Sequence, residues 1–271
     1  MTRRFASFQC EGNTLGGTLD TGPATTGLLI VSGGNELRSG AWNNQAQLAE
    51  RISAAGFPVF RFDRRGVGDS DGPNGAFTTS APDIAAAIGA FRAHVPTLRR
   101  VVTFGNCDAA SALMLARGVG CDALVLANPW TFDPEPEVAD EPEPASMPPA
   151  AIRAHYLRRL TDPRALWRLA TGKVKLGQLA TSLSDAARAD GPQTGLAAQM
   201  ATGIDDFSGP VAILLAERDR TAQAFLANWD KSDSRLRTCP LASHSFVEPQ
   251  SFLWLQGQLL AALRGIDASS R

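Results

Sequence analysis

Apolar residues along this chain recur with two periods, near two and near three and a half, and the two alternate. Phe5 to Cys10 alternates apolar and polar, Glu11-Gly12-Asn13 carries turn chemistry, and Leu15 to Leu19 returns, which predicts an opening hairpin. The run Leu28-Leu29-Ile30-Val31 reads as a buried strand that stops at Ser32-Gly33-Gly34-Asn35. Leu48, Ala49, Ile52 and Ala55 then share one helical face, and Pro58 to Phe62 is a second buried strand. A helix is predicted over roughly Pro82 to Ala93, followed by strands at Val101–Phe104 and Ala123–Leu126. After a long interruption the alternation resumes: a strand at Val211–Leu215, a helix near Ala222–Trp229 and a strand at Leu236–Leu241. The last amphipathic helix buries Phe252, Leu255, Leu259 and Leu263. Strands alternating with helices of this length predict an α/β fold, a mostly parallel sheet covered on both faces. Such sheets carry their reactive loops at the carboxyl ends of the strands.

The interruption divides the chain. Residues 133–149 hold six acidic residues and six prolines, a composition that predicts an exposed connector rather than regular structure. From about Ala150 to Met200 the pattern is helical, with Leu157, Leu160, Leu166, Trp167 and Leu169 as packing residues. The expected organisation is a core of residues 1–132 and 206–271, with 133–205 inserted as a cap over the strand ends. Residues 151–200 carry eight Lys or Arg against three Asp, either a solvated helical face or an attraction for an anionic substrate.

Composition narrows the class of protein. The chain has 271 residues, 44% hydrophobic and 20% charged, with a formal net charge of −1, so no global field points to nucleic acid. The N-terminus lacks the apolar stretch of a signal peptide, and no run is long and apolar enough to span a bilayer. Cys10, Cys107, Cys121 and Cys239 are scattered without metal-ligand spacing, which suits a reducing cytoplasm and calls for no metal or other cofactor. The sequence leaves the oligomeric state open, a homodimer included.

Chemistry concentrates at Val101 to Ala112. An apolar strand stops at Gly105, Asn106-Cys107-Asp108 makes the turn, and a helix-forming run follows. This is the strand–turn–helix context of a nucleophile elbow, G-x-S-x-G, with Cys107 at the nucleophile position and Ala109 for the last glycine. A helix start behind the cysteine favours thiolate over thiol, although a cysteine after a strand is also a common core residue. Of the three histidines, His94 ends a helix and His155 lies in the cap. His244, between the last strand and the last helix, is the candidate base. Asp219 follows the Val211–Leu215 strand and is the candidate acid, with Glu217 as competitor; helix N-capping is its ordinary alternative role. An oxyanion site would combine the Asp108 N–H with that of Asn35, or of Gly34 as the alternative donor. Arg38, Trp130, His155 and Tyr156 are candidate substrate contacts. Asp63 to Ser70 lacks the Gly-Lys-Ser/Thr ending of a phosphate loop and reads as a structural turn.

These motifs carry a family resemblance. Gly33-Gly34-Asn35, Phe62-Asp63-Arg64-Arg65-Gly66-Val67-Gly68-Asp69-Ser70, Gly105-Asn106-Cys107-Asp108-Ala109-Ala110-Ser111, Asn128-Pro129-Trp130, His155-Tyr156-Leu157 and Ser243-His244-Ser245-Phe246 span nearly the whole chain. The chain resembles an α/β-hydrolase, and more narrowly the type 1 hydrolases associated with the exosortase A system of Gram-negative bacteria. The order Cys107, Asp219, His244 is the nucleophile–acid–base order of that superfamily. The resemblance implies an eight-stranded core, a helical cap, a hydrolytic triad and a setting of exopolysaccharide production. Cys for Ser and Ala109 for Gly depart from the common pattern, and a cysteine triad also resembles dienelactone hydrolases. The leading expectation is a hydrolase of a small-molecule ester or thioester. Acyl transfer by the same triad and a non-catalytic binding module are the competing ones.

Overall fold

The computed structural model describes residues 2–132 and 195–268. The predicted connector and most of the predicted cap, with His155 and Tyr156, lie outside the described residues. The hairpin forms as predicted, β1 (Arg3–Cys10) pairing antiparallel with β2 (Asn13–Asp20). Its two-residue loop is Glu11-Gly12, both at positive φ (47° and 82°), the conformation whose twist matches that of the strands it joins. The remaining strands are β3 (Thr26–Val31), β4 (Val59–Phe62), β5 (Arg100–Asn106), β6 (Ala123–Ala127), β7 (Val211–Ala216) and β8 (Leu236–Cys239). They assemble in the order β1-β2-β4-β3-β5-β6-β7-β8, antiparallel at the β1–β2 and β2–β4 pairs and parallel at every other.

Period-two alternation sends each strand's side chains to opposite faces. Leu29, Val31, Val101, Leu124, Leu126, Ile213 and Leu215 join one core. Their neighbours Leu28, Ile30, Val102, Phe104, Val125 and Leu214 join the other. The first core is roofed by α2 (Ala81–His94), α3 (Asp108–Leu115), α4 (Gly195–Asp205) and α5 (Arg220–Ala227). The second is closed by α1 (Asn44–Ala54) and α6 (Pro249–Ala268), which buries Phe252, Leu255, Leu259 and Leu263 as the periodicity requires. Helix α4, the end of the interval read as a cap, packs on α3 and buries Leu196, Ala197, Met200 and Ile204.

Some boundaries move for local reasons. Ala55 shares the spacing of the buried α1 face but caps the helix and is exposed. Strand β8 ends at Cys239 rather than Leu241, because Pro240 has no N–H for the ladder. Among the described residues no helix is long and apolar enough to cross a membrane.

The parallel strands all deliver their carboxyl ends to one edge. Gly105, one residue pair before that edge, has no room for a side chain: a Cβ there would lie 2.8–2.9 Å from main-chain atoms of Ala109 and Ala110. Main chain cannot rotate aside, so Gly105→Ala is expected to destabilise by about 1–3 kcal/mol. Urea denaturation should show a lower midpoint at unchanged m-value, and an unaltered midpoint would show that α3 can shift to accommodate the methyl group.

Candidate functional site

Cys107 occupies the turn between β5 and α3 with φ 61° and ψ −128°, a backbone conformation that residues other than glycine rarely adopt. Its N–H donates to Ala127 O of β6 at 2.9 Å, and its carbonyl accepts from the Ala110 and Ser111 N–H groups at 3.1 and 3.3 Å. The elbow is therefore held from both sides, by a neighbouring strand and by the first turn of the helix it opens. Cys107 is partly exposed there, whereas Cys10, Cys121 and Cys239 are buried, and all four are free thiols.

His244 lies in the loop after β8, and its Nδ1 is 2.9 Å from Asp219 Oδ2. A carboxylate only accepts, so Nδ1 carries the proton and Nε2 is the nitrogen left for other work. The Cys107 side chain acts on the same imidazole. Burial opposes a charge on the ring, but hydrogen bonding and the negative charge of Asp219 and Cys107 outweigh it and push the His244 pKa up to about 10. Glu36, half-buried in the loop after β3, also faces this ring; burial raises its pKa, and His244 opposes the rise.

Asp219 makes two kinds of contact. It is the N-cap of α5, accepting from Thr221 N–H at 3.2 Å and Ala222 N–H at 3.1 Å, and it also holds His244. Only 7% exposed, it has a fixed rotamer from which to orient the ring. Glu217 instead accepts from Leu241 N–H at 2.8 Å and braces the loop between β8 and His244.

The loop after β3 lies against the elbow: a Cβ on Gly33 would meet Asn106 O and Asp108 Oδ1, each at 2.7 Å. Here one sequence expectation is corrected. The Gly34 N–H donates to the Asp108 carboxylate at 2.6 Å, so it is not a free oxyanion donor. A charged acceptor at that distance is a strong hydrogen bond, which leaves the Asn35 N–H as the candidate donor from this loop. The Asp108 N–H opens α3 and has no intrahelical acceptor.

Arg38 is also redirected. Its guanidinium pairs with Asp63, bonds Asp69 at 2.8 Å and Thr18 at 2.9 Å, and sits over the Phe5 ring. Those partners belong to the β1–β2 side of the sheet and the turn after β4, so in this structure the Arg38 guanidinium is engaged in tying that turn to the hairpin. Trp130 follows β6, exchanges hydrogen bonds with the Ser111 hydroxyl of α3 and stacks edge-on against Phe132. His94 ends α2, on the side of the sheet away from the strand ends, with its ring 6.4 Å from Phe60.

Three polar residues in this region escaped the sequence analysis as site components. Arg64, buried, donates to Gly34 O, to Asp108 Oδ2 at 3.2 Å and to Ser80 Oγ at 3.0 Å, bracing the loop after β3 against the elbow. The turn motif that contains it was legible, but a buried cation bonding a glycine carbonyl has no sequence signal. Asn106 and Asn128 both donate to the His244 carbonyl, at 3.2 and 3.0 Å. Among the described residues no group of three or more His, Cys, Asp or Glu is placed to hold a metal ion.

The sequence matches the family profile described as "Alpha/beta hydrolase family" over residues 28–253. The chain belongs to the α/β-hydrolase family. Solved structures of the same fold include the esterase Pf2001 of Pyrococcus furiosus, at 13% identity and TM-score 0.60, covering 97% of this chain and 90% of that one. They also include GrgF, an α/β-hydrolase from Penicillium sp. sh18, at 15% identity and TM-score 0.61, covering 97% and 100%. A third is Est1E from Butyrivibrio proteoclasticus, solved with ferulic acid bound, at 15% identity and TM-score 0.58, covering 96% and 99%. No curated protein matches the sequence.

The raised pKa of His244 has a consequence for stability. An unfolded chain releases this proton near pH 6.5, while the folded α/β-hydrolase keeps it to about pH 10. The histidine's contribution is therefore complete below pH 6.5 and is lost as the pH rises to about 10. Urea midpoints measured from pH 6 to 10 should fall less steeply in His244→Gln than in the wild type. Equal slopes would mean that the ring is not holding a proton in that range.

Proposed function

We propose that this α/β-hydrolase cleaves a small-molecule ester or thioester through a covalent acyl-enzyme on Cys107. The observation that carries the proposal is the position of Cys107 on a strained elbow beside an imidazole that Asp219 holds by its other nitrogen. His244 holds the thiol's proton as an imidazolium, and the Cys107 thiolate attacks the acyl carbonyl. The oxyanion is met by the Asn35 and Asp108 N–H groups, the latter with the partial positive charge of the α3 N-terminus. As the tetrahedral species collapses, the proton returns from His244 to the departing alkoxide or thiolate. Water, deprotonated by His244, then attacks the acyl group, the Cys107–acyl bond breaks, and the carboxylic acid leaves. Asp219 stabilises the imidazolium formed in each half.

The choice of bond follows from the nucleophile. A thiolate is a good leaving group, so a thiol nucleophile best serves acyl groups whose own leaving group departs easily, which favours activated esters, lactones and thioesters over amides. The esterase named among the structural neighbours supports ester chemistry on this fold. Motif resemblance supports the finer assignment to the exosortase A-associated type 1 hydrolases and to exopolysaccharide production. Free cysteines throughout support a cytoplasmic setting. The proposed cap, the interval 133–205 less the core helix α4, with His155 and Tyr156 as substrate contacts, belongs to the same reading, as does a homodimer.

Intact mass recorded seconds after mixing with a short-chain nitrophenyl ester should show an acyl-sized gain that maps to Cys107 and is absent from Cys107→Ala. Turnover without any Cys107-dependent adduct would defeat the proposal. Asp219→Asn, which removes the charge while keeping the shape, should lower kcat on the order of 10³–10⁴-fold, as expected when the orienting carboxylate of a triad is neutralised. A loss below tenfold would reassign Asp219 to helix capping alone.

A further inference from the structure

Asn128 is the first residue beyond β6 and is fully buried. Its φ of 44° turns the chain away from the sheet in a left-handed conformation that asparagine tolerates better than most residues. Every polar atom of its side chain is engaged. The amide nitrogen donates to the His244 carbonyl at 3.0 Å and to Asn106 Oδ1 at 3.0 Å. The amide oxygen accepts from Ala216 N–H at 2.8 Å.

Each of those partners belongs to a different arm of the site. Asn106 is the last residue of β5 and directly precedes Cys107; its own amide donates to the same His244 carbonyl at 3.2 Å. Ala216 ends β7, and its carbonyl accepts from the Asp219 N–H at 3.0 Å. His244 lies in a loop whose neighbouring ties run to α1 and to the acid loop, through Asn44 to Ser245 O at 2.8 Å and Arg218 N–H to Ala242 O at 3.0 Å. One buried amide therefore joins the arms that carry the nucleophile, the acid and the base. A primary amide is suited to this, because it offers two donors and an acceptor in one plane without a charge to desolvate.

We infer that Asn128, assisted by Asn106, is a positioning residue that fixes the His244 ring relative to Cys107 and Asp219. The inference rests on the proposed cysteine chemistry. It extends that chemistry to a residue that touches neither substrate nor the reacting atoms. The amide pair pins the carbonyl of the histidine itself, leaving the ring only its side-chain torsions with which to miss Cys107. The charged groups facing that ring are Asp219, Cys107 and Glu36, and none is altered by the variants below.

The test uses the full chain and two readouts: nitrophenyl ester turnover and the pH dependence of Cys107 alkylation by iodoacetamide, followed by peptide mass. Asn128→Gly removes the amide while keeping a residue that accepts φ 44° without strain. It is expected to lower kcat on the order of 10²-fold with KM nearly unchanged, as a misplacement of about 1 Å would. Alkylation at pH 6, which reads the thiolate maintained by a nearby imidazolium, should fall about tenfold, while the rate at pH 10, where any thiol is ionised, stays near wild type. Should Asn128→Gly not fold, Asn106→Ala carries the same test with a smaller expected loss, because Asn128 still reaches the carbonyl. A merely structural role would lower Tm and leave the alkylation profile of the folded variant unchanged, and that result overturns the inference. A wild-type profile with no reactive thiolate at pH 6 overturns the cysteine reading itself. A wild-type thiolate that persists in both variants overturns only the positioning role.

Discussion

The site depends on a backbone held where it would not go unaided. At Cys107 the chain takes φ 61° and ψ −128°, which costs on the order of 1–3 kcal/mol for a residue with a Cβ. That conformation persists because its neighbours determine it. The Cys107 N–H is tied to Ala127 of β6, its carbonyl closes the first turn of α3, and the absence of a side chain at Gly105 lets α3 pack down on the strand. Parallel pairing of β5 with β3 and β6 sets where the turn falls along the edge. Moving that turn by one residue would send the side chain of residue 107 to the other face of the sheet.

Around the elbow, several buried polar groups are paired. Asp63, Arg64, Asn128 and Asp219 are all at most 7% exposed, and each has at least two hydrogen-bond partners. Leaving one member without its partner costs more than the intact pair contributes, so such groups hold loops in a single arrangement. Arg64 and Asp108 do so between the loop after β3 and the elbow, and Asn128 does so between the strand ends. The result is an edge on which a thiol, an imidazole and a carboxylate are brought together by the hydrogen bonds of their own loops.

Asp219 shows how a helix cap and a histidine contact share one residue. As N-cap it satisfies two helix N–H groups, and those same bonds lower its freedom to turn away from His244. The ring in turn holds its proton well above its ordinary range, because its hydrogen bond to the Asp219 carboxylate outweighs the cost of burial.

Local patterns were enough for the strands, most helix faces, the hairpin turn and the elbow, because each depends on neighbours within a few residues in the chain. That Cys107, Asp219 and His244 lie on one edge was legible for the same reason, since each follows an apolar run that marks a strand, and a parallel sheet collects such ends at one edge. The engagement of Gly34 with Asp108, the diversion of Arg38 to Asp63 and Asp69, and the bond of Arg64 to Gly34 were not legible. Nor was the amide of Asn128, whose partners lie 22, 88 and 116 residues away. Which polar atoms face each other across such separations depends on register, rotamer and depth of burial. Those are set when the sheet and its loops pack together, and so it was the tertiary structure that decided them.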